Sequence, residues 1–175
     1  EPIKYTDLNS VPTNFSFDTV EEHDIYVLLR GFKKFGHKAV KLFVLEEPFK
    51  TVSHLTILIN KILSTCKVPR QWKIARITPI HKSGSISSVS NYRPVSNLPF
   101  FSKILEKVIY NQIMKFCIKY NLISHCQFGY RSKHNTQAAL LHLLNNIYFK
   151  LDCNFTVLLL LYDLSKAFDT LDHTI

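Results

Sequence analysis

A fold of mixed helices and strands, α+β or α/β, is predicted by three features of these 175 residues. Four separate stretches space apolar side chains at helical intervals. Between the second and the third the period drops to two. Near the end, a compact apolar run leads straight into an aspartate.

The elements follow in order. Thr19 and Glu22 are spaced as a capping box, ahead of Ile25, Leu28, Leu29 and Phe32 at helical intervals, and Gly36 follows as a stop. The predicted first helix therefore opens after an irregular start. Leu55, Leu58, Ile59, Ile62 and Leu63 form a second stripe, Leu105, Val108, Ile109, Ile113 and Phe116 a third, and Leu140, Leu141, Leu144, Ile147 and Tyr148 a fourth. All four stripes are expected to face a core. In "WKIARITPIHK", residues 72–82, Ile74, Arg76, Thr78 and Ile80 alternate with Ala75, Ile77 and Pro79, ahead of the turn-like "KSGS". That predicts a strand, and Pro79, which has no amide hydrogen, confines it to an edge or a strand end. "SNYRPVSNLP", residues 90–99, predicts a short extended segment broken by two prolines. "FTVLLLLYDL", residues 155–164, predicts a central strand over 157–162 with Asp163 at its carboxyl end.

Composition sets the bounds. With 46% hydrophobic residues and only 4 glycines the chain has the means to bury a core. It begins at Glu1, shows no charged-then-apolar leader, and has no apolar run near the roughly 20 residues that span a bilayer. A soluble piece of a longer intracellular protein is expected. Cys66, Cys117, Cys126 and Cys153 lack the close spacings of a zinc site, so reduced thiols are expected.

The net charge of +9 hides a sharper pattern. Residues 1–30 carry two basic against six acidic side chains, residues 31–133 carry 18 against three, and residues 134–175 carry two against four. The basic residues of the middle segment are interleaved with tyrosines and phenylalanines, which places them on a folded surface and not in a tail. Such a surface either meets phosphates or is a solvated face that aids solubility.

Asp163 leaves two readings open in the same way. A carboxylate at the end of a buried strand is costly unless it is hydrogen-bonded, caps a helix or binds a cation. Asp163 or Ser165 caps a short helix through residues 166–168, or Asp163 holds a hard metal ion through oxygen.

Four blocks, "VPRQWKIARITPIHKSG", "NYRPVSNLPFFSKILEKVI", "QFGYRSKHNT" and "LYDLSKAFDTLDH", resemble in order and approximate spacing the reverse transcriptase of non-LTR, LINE-type retrotransposons. Alone, "YRP" or "KAFD" would be weak; in series they are specific. The resemblance implies an α+β fold, the fingers and partial palm of a right-hand polymerase, with helices packed on an incomplete mixed or antiparallel sheet. It implies an upstream helical region over residues 1–67 and polymerase sequence over 68–175. The implied activity is RNA-directed DNA synthesis with Mg²⁺ as cofactor and an RNA template, a DNA primer and deoxynucleoside triphosphates as partners. Residue by residue, Asp163 matches the first catalytic, metal-binding aspartate, and Leu164 would offer its backbone carbonyl. Phe168 matches the bulky residue that lies under the incoming sugar and rejects a 2′-hydroxyl. Lys82 and Arg93 match the basic pair that grips the triphosphate. Gln127, Gly129 and Arg131 match a fingers motif near template and nucleotide. Asp169 and Asp172 read as local caps or surface charges.

The chain also departs from that pattern. "GHKAV" puts Lys38 and Ala39 where such enzymes have a Gly-x-Asp-Gly turn, Tyr130 replaces a usual phenylalanine, and no Asp-Asp pair occurs anywhere in the 175 residues. The expectation is a chain that is inactive by itself, with exposed apolar surface. Two alternatives stand beside the enzyme: a non-catalytic nucleic-acid-binding remnant, and a group II intron maturase-like protein, which shares the "YRP" motif.

Overall fold

A computed structural model describes residues 14–33 and 48–164. The expectations for the Phe32 side chain and for Gly36, Lys38, Ala39, Phe168, Asp169, Asp172 and a helix starting at Ser165 lie outside the described residues. The chain divides into two compact units, one ending at Leu122 and the next beginning at Ile123.

In the first unit three helices hold the core: α1 (Glu22–Lys33), α2 (Pro48–Thr65) and α3 (Phe100–Lys119). Ile25 and Leu29 of α1, Val52, Leu55, Ile59 and Ile62 of α2, and Ile104, Leu105 and Val108 of α3 form one buried cluster. Each such side chain contributes about 1.5–3 kcal/mol on leaving water, so nine of them on three stripes account for the association of the helices. The predicted stripes are met with trims. Leu58 and Ile113 stay exposed, while Val52 and Ile104 enter the core. A 3₁₀ turn at Arg70–Lys73 docks on the start of α3. There Trp72 stacks on Phe101 with ring centroids 5.9 Å apart, and Ser102 Oγ donates to the Trp72 carbonyl at 2.7 Å.

The entry to α1 is built differently from the expected capping box. Asp24, not Glu22, reaches back, accepting from the Glu21 amide at 3.2 Å, so the cap sits at Glu21 and not at Thr19. Glu22 instead accepts a short hydrogen bond from Ser53 Oγ of α2. Residues 18–20 are occupied in another way. The Gln112 side chain accepts from the Asp18 amide at 2.8 Å and donates to the Asp18 carbonyl at 2.9 Å. Asn60 does the same for Val20, at 2.8 and 2.9 Å. Two side-chain amides thus satisfy this stretch of backbone as a neighbouring strand would.

The predicted strand over 72–82 and the predicted extended segment over 90–99 form a hairpin of β1 (Arg76–His81) and β2 (Tyr92–Asn97), antiparallel, with Ile80 opposite Arg93 and His81 opposite Tyr92. Among the described residues these two strands are the whole sheet. The Lys82 amide donates to the Asn91 carbonyl at 2.8 Å. Since hydrogen-bonded rows recur every second residue, Pro79 and Pro94, opposite one another, occupy a row whose amides do not enter the ladder. The expected packing of helices on a sheet is corrected: every residue of β1 is exposed, and the helices of this unit pack on one another.

The second unit contains α4 (Thr136–Asp152). Asn135 caps its start, Oδ1 accepting from the Ala138 amide at 2.7 Å. Its end is a Schellman motif: Asn154 takes φ 60°, its amide donates to the Leu151 carbonyl, and the Phe155 amide donates to the Lys150 carbonyl, both at 2.9 Å. The fourth stripe is corrected: α4 buries no residue, and Leu140, Leu141 and Tyr148 are exposed. The central strand over 157–162 is corrected too. Residues 155–164 form neither strand nor helix, and Leu158, Leu161 and Tyr162 are more than four-fifths exposed. A strand exists by pairing, and no described segment pairs with this one.

Candidate nucleic-acid interface

The predicted site residues fall in both units, and each unit is described by itself. In the first, Lys82 and Arg93 come together on the hairpin. Alternation puts Arg76, Thr78, Ile80 and, one residue past the strand, Lys82 on one face, with Arg93, Val95 and Asn97 opposite them on the same face. The Asn97 Nδ2 contact to Thr78 Oγ1, at 3.4 Å, crosses that face. Lys82 is thus the diagonal neighbour of Arg93, a separation of about 7–8 Å between backbones. Arg76, which sequence reasoning did not single out, is the third cation of the face. Its parity with Lys82 in the alternating run was the available signal.

The loop between the strands is held by its own groups. Gly84 takes φ 84°, and an added Cβ would stand 2.7 Å from Asn91 Nδ2. That nitrogen donates to the Ser85 carbonyl at 2.9 Å, and Tyr92 Oη donates to the Ile86 carbonyl at 2.9 Å. His81 and Tyr92, paired across the strands, meet edge to face at 5.3 Å. The ten-residue connection is therefore folded onto the end of the hairpin that carries Lys82 and Arg93.

In the second unit Gln127, Gly129 and Arg131 come together in the loop ahead of α4. Gln127 Nε2 donates to the Gly129 carbonyl at 3.1 Å, while Arg131 Nη1 and the Gln127 amide both donate to the Ser124 carbonyl, at 3.0 Å each. Arg131 braces the loop with one nitrogen and is half-buried, with further donors left on its guanidinium. Phe128 lies 5.5 Å from both His134 and His142, which ties the loop to α4.

Asp163 and Leu164 are exposed at the end of the apolar run, with Asp163 beyond no strand. Among the described residues no three His, Cys, Asp or Glu side chains gather as a metal-holding group. A single carboxylate offers a Mg²⁺ pair one of the several oxygen ligands it needs. The four cysteines form no disulfide, and no helix among the described residues is long and apolar enough to cross a membrane.

A family described as reverse transcriptase (RNA-dependent DNA polymerase) matches residues 80–175, from the end of β1 onward. The chain belongs to the reverse transcriptase family, alongside sequences of non-LTR, LINE-type transposons. Among curated proteins of Drosophila melanogaster it is 32% identical over 131 residues to the probable RNA-directed DNA polymerase from transposon BS, covering 72% of this chain and 14% of that relative. It is 29% identical over 159 residues to the corresponding protein from transposon X-element, covering 90% of this chain and 18% of the relative. To the RNA-directed DNA polymerase from mobile element jockey it is 31% identical over 127 residues, covering 72% and 14%. The chain thus spans less than a fifth of the length of these relatives. No solved structure matches it.

Proposed function

We propose that this chain contributes the nucleotide- and template-gripping part of an RNA-directed DNA polymerase that copies transposon RNA. The observation that carries the reading is the pairing of Lys82 and Arg93 on one exposed face of the hairpin, at the start of the segment that matches the family. A mobile ammonium and a planar guanidinium side by side suit different oxygens of one triphosphate. The right-hand arrangement, with fingers and the start of a palm from residue 68 on and a helical lead-in before it, is the architecture this reading requires.

The remaining roles follow the same reading. Gln127, Gly129 and Arg131 lie against template and nucleotide. Phe168 excludes the 2′-hydroxyl. Asp163 supplies one ligand to the metal ions, Mg²⁺ by the preference of hard cations for oxygen, and Leu164 lends its carbonyl. Bound metal would stabilise charge on the transferring phosphoryl group; the chain's own part is to hold the triphosphate and the template. The four unpaired thiols support an intracellular setting.

The test separates binding from chemistry. The chain is expected to bind RNA and RNA/DNA hybrid with a clear loss of affinity as salt rises, a log–log slope near −0.7 per phosphate contact on single strands, and to extend no primer. A flat salt response would assign the basic surface to solubility. Mg²⁺-dependent extension abolished in Asp163→Asn would show that the chain is catalytically complete.

A further inference from the structure

Tyr130 sits in the loop ahead of α4 and combines two costs without a folding return. Its backbone takes φ 57°, a left-handed conformation that side chains with a Cβ rarely adopt. The residue is 93% exposed, so an apolar surface that ordinarily drives folding is left in water. The conformation is enforced from both sides. Before it, the Gln127 side chain holds the Gly129 carbonyl; after it, Arg131 holds the Ser124 carbonyl. Three residues on, Lys133 also takes a left-handed φ of 62°, and the His134 amide closes the turn on the Arg131 carbonyl at 3.2 Å. A loop that fixes its backbone around a ring yet leaves it almost wholly in water is pre-organised for something outside itself.

We propose that Tyr130 is a stacking platform for an unpaired nucleobase of a single-stranded template. An aromatic residue so exposed can take any base on its π-face, and Arg131 and Lys133, one and three residues further along the loop, supply the positive charge that a phosphate backbone requires. The proposal rests on the nucleic-acid reading above and adds the contact that distinguishes a splayed single strand from a duplex, whose bases are already stacked on each other.

The experiment compares the unaltered chain with Tyr130→Ala, Tyr130→Trp and Tyr130→Gly in titrations of a single-stranded RNA carrying 2-aminopurine and of an RNA/DNA duplex. Tyr130→Ala is expected to weaken single-strand binding about tenfold or more, to abolish quenching of the 2-aminopurine, and to leave duplex affinity and the salt slope unchanged. Tyr130→Trp keeps both binding and quenching. Tyr130→Gly suits the left-handed backbone, so its urea midpoint matches or exceeds that of the unaltered chain while its binding falls as for alanine; this separates loss of the ring from loss of the fold. Unchanged single-strand binding in the alanine and glycine variants overturns the platform and leaves the nucleic-acid reading standing. Absence of any binding by the unaltered chain overturns both. Conversion of an oligomer to a monomer by Tyr130→Ala in sedimentation, with RNA binding intact, assigns the ring to a protein face and overturns the platform as well.

Discussion

Gly84 and Asn60 show how single positions set the local backbone. At Gly84 both the φ of 84° and the 2.7 Å approach to Asn91 Nδ2 oppose a Cβ. Gly84→Ala is therefore expected to loosen the loop by about 1–3 kcal/mol, read as faster hydrogen exchange at the Lys82 amide, which closes the hairpin. Asn60 carries both hydrogen-bonding groups of Val20. Asn60→Ala leaves a partly buried donor and acceptor without partners and is expected to cost about 1–3 kcal/mol in urea denaturation. The two positions differ in how far sequence alone revealed them. Gly84 was legible, because a turn glycine declares itself beside Ser83 and Ser85. Asn60 and Gln112 were not, because their partners lie 40 and 94 residues away, and no local pattern reports a contact of that span.

Periodicity identified the helices but not what covers them. The stripes of α1, α2 and α3 found one another in a shared core, whereas the equally regular stripe of α4 met no cover among the described residues. An amphipathic pattern specifies a face and is silent on its partner. The same gap explains residues 157–162, whose apolar run promised a strand although no described segment supplies a ladder partner. Both arms of the hairpin were legible as extended segments but their pairing was not; the association of Lys82 with Arg93 came from the family resemblance alone, and the register supplies its position. Lys82→Ala and Arg93→Ala are each expected to weaken deoxynucleoside triphosphate binding about tenfold or more, as loss of a hydrogen bond to a charged group does, measured by calorimetric titration. Arg76→Ala is expected to reduce the salt slope of RNA binding by about one contact with little change in triphosphate affinity. At the end of α4, Asn154→Val forces a β-branched side chain into φ 60° and is expected to fray the last turn, seen as lost helical ellipticity, whereas Asn154→Gly is tolerated.

The two units are unequal in what they bury. The first contains Ile25, Ile59 and Ile104 at 0% exposure; Ile59→Ala is expected to lower its stability by about 2–5 kcal/mol. The second has no buried residue in α4, so its amides should exchange with solvent well before those of α2 and α3, a difference readable by mass spectrometry. The facing prolines of the hairpin bear on how such a chain behaves in a crowded solution. With the amides of the row Pro79–Pro94 absent, the middle donor on each outer border of the two-stranded ribbon is missing, and a passing extended segment finds no continuous set of donors to dock against. Aggregation is then expected to start from the exposed leucines of residues 158–161 and not from the ribbon, and restoring the donor with Pro94→Val is expected to turn a terminating edge into a template for growth, seen as faster loss of monomer in sedimentation.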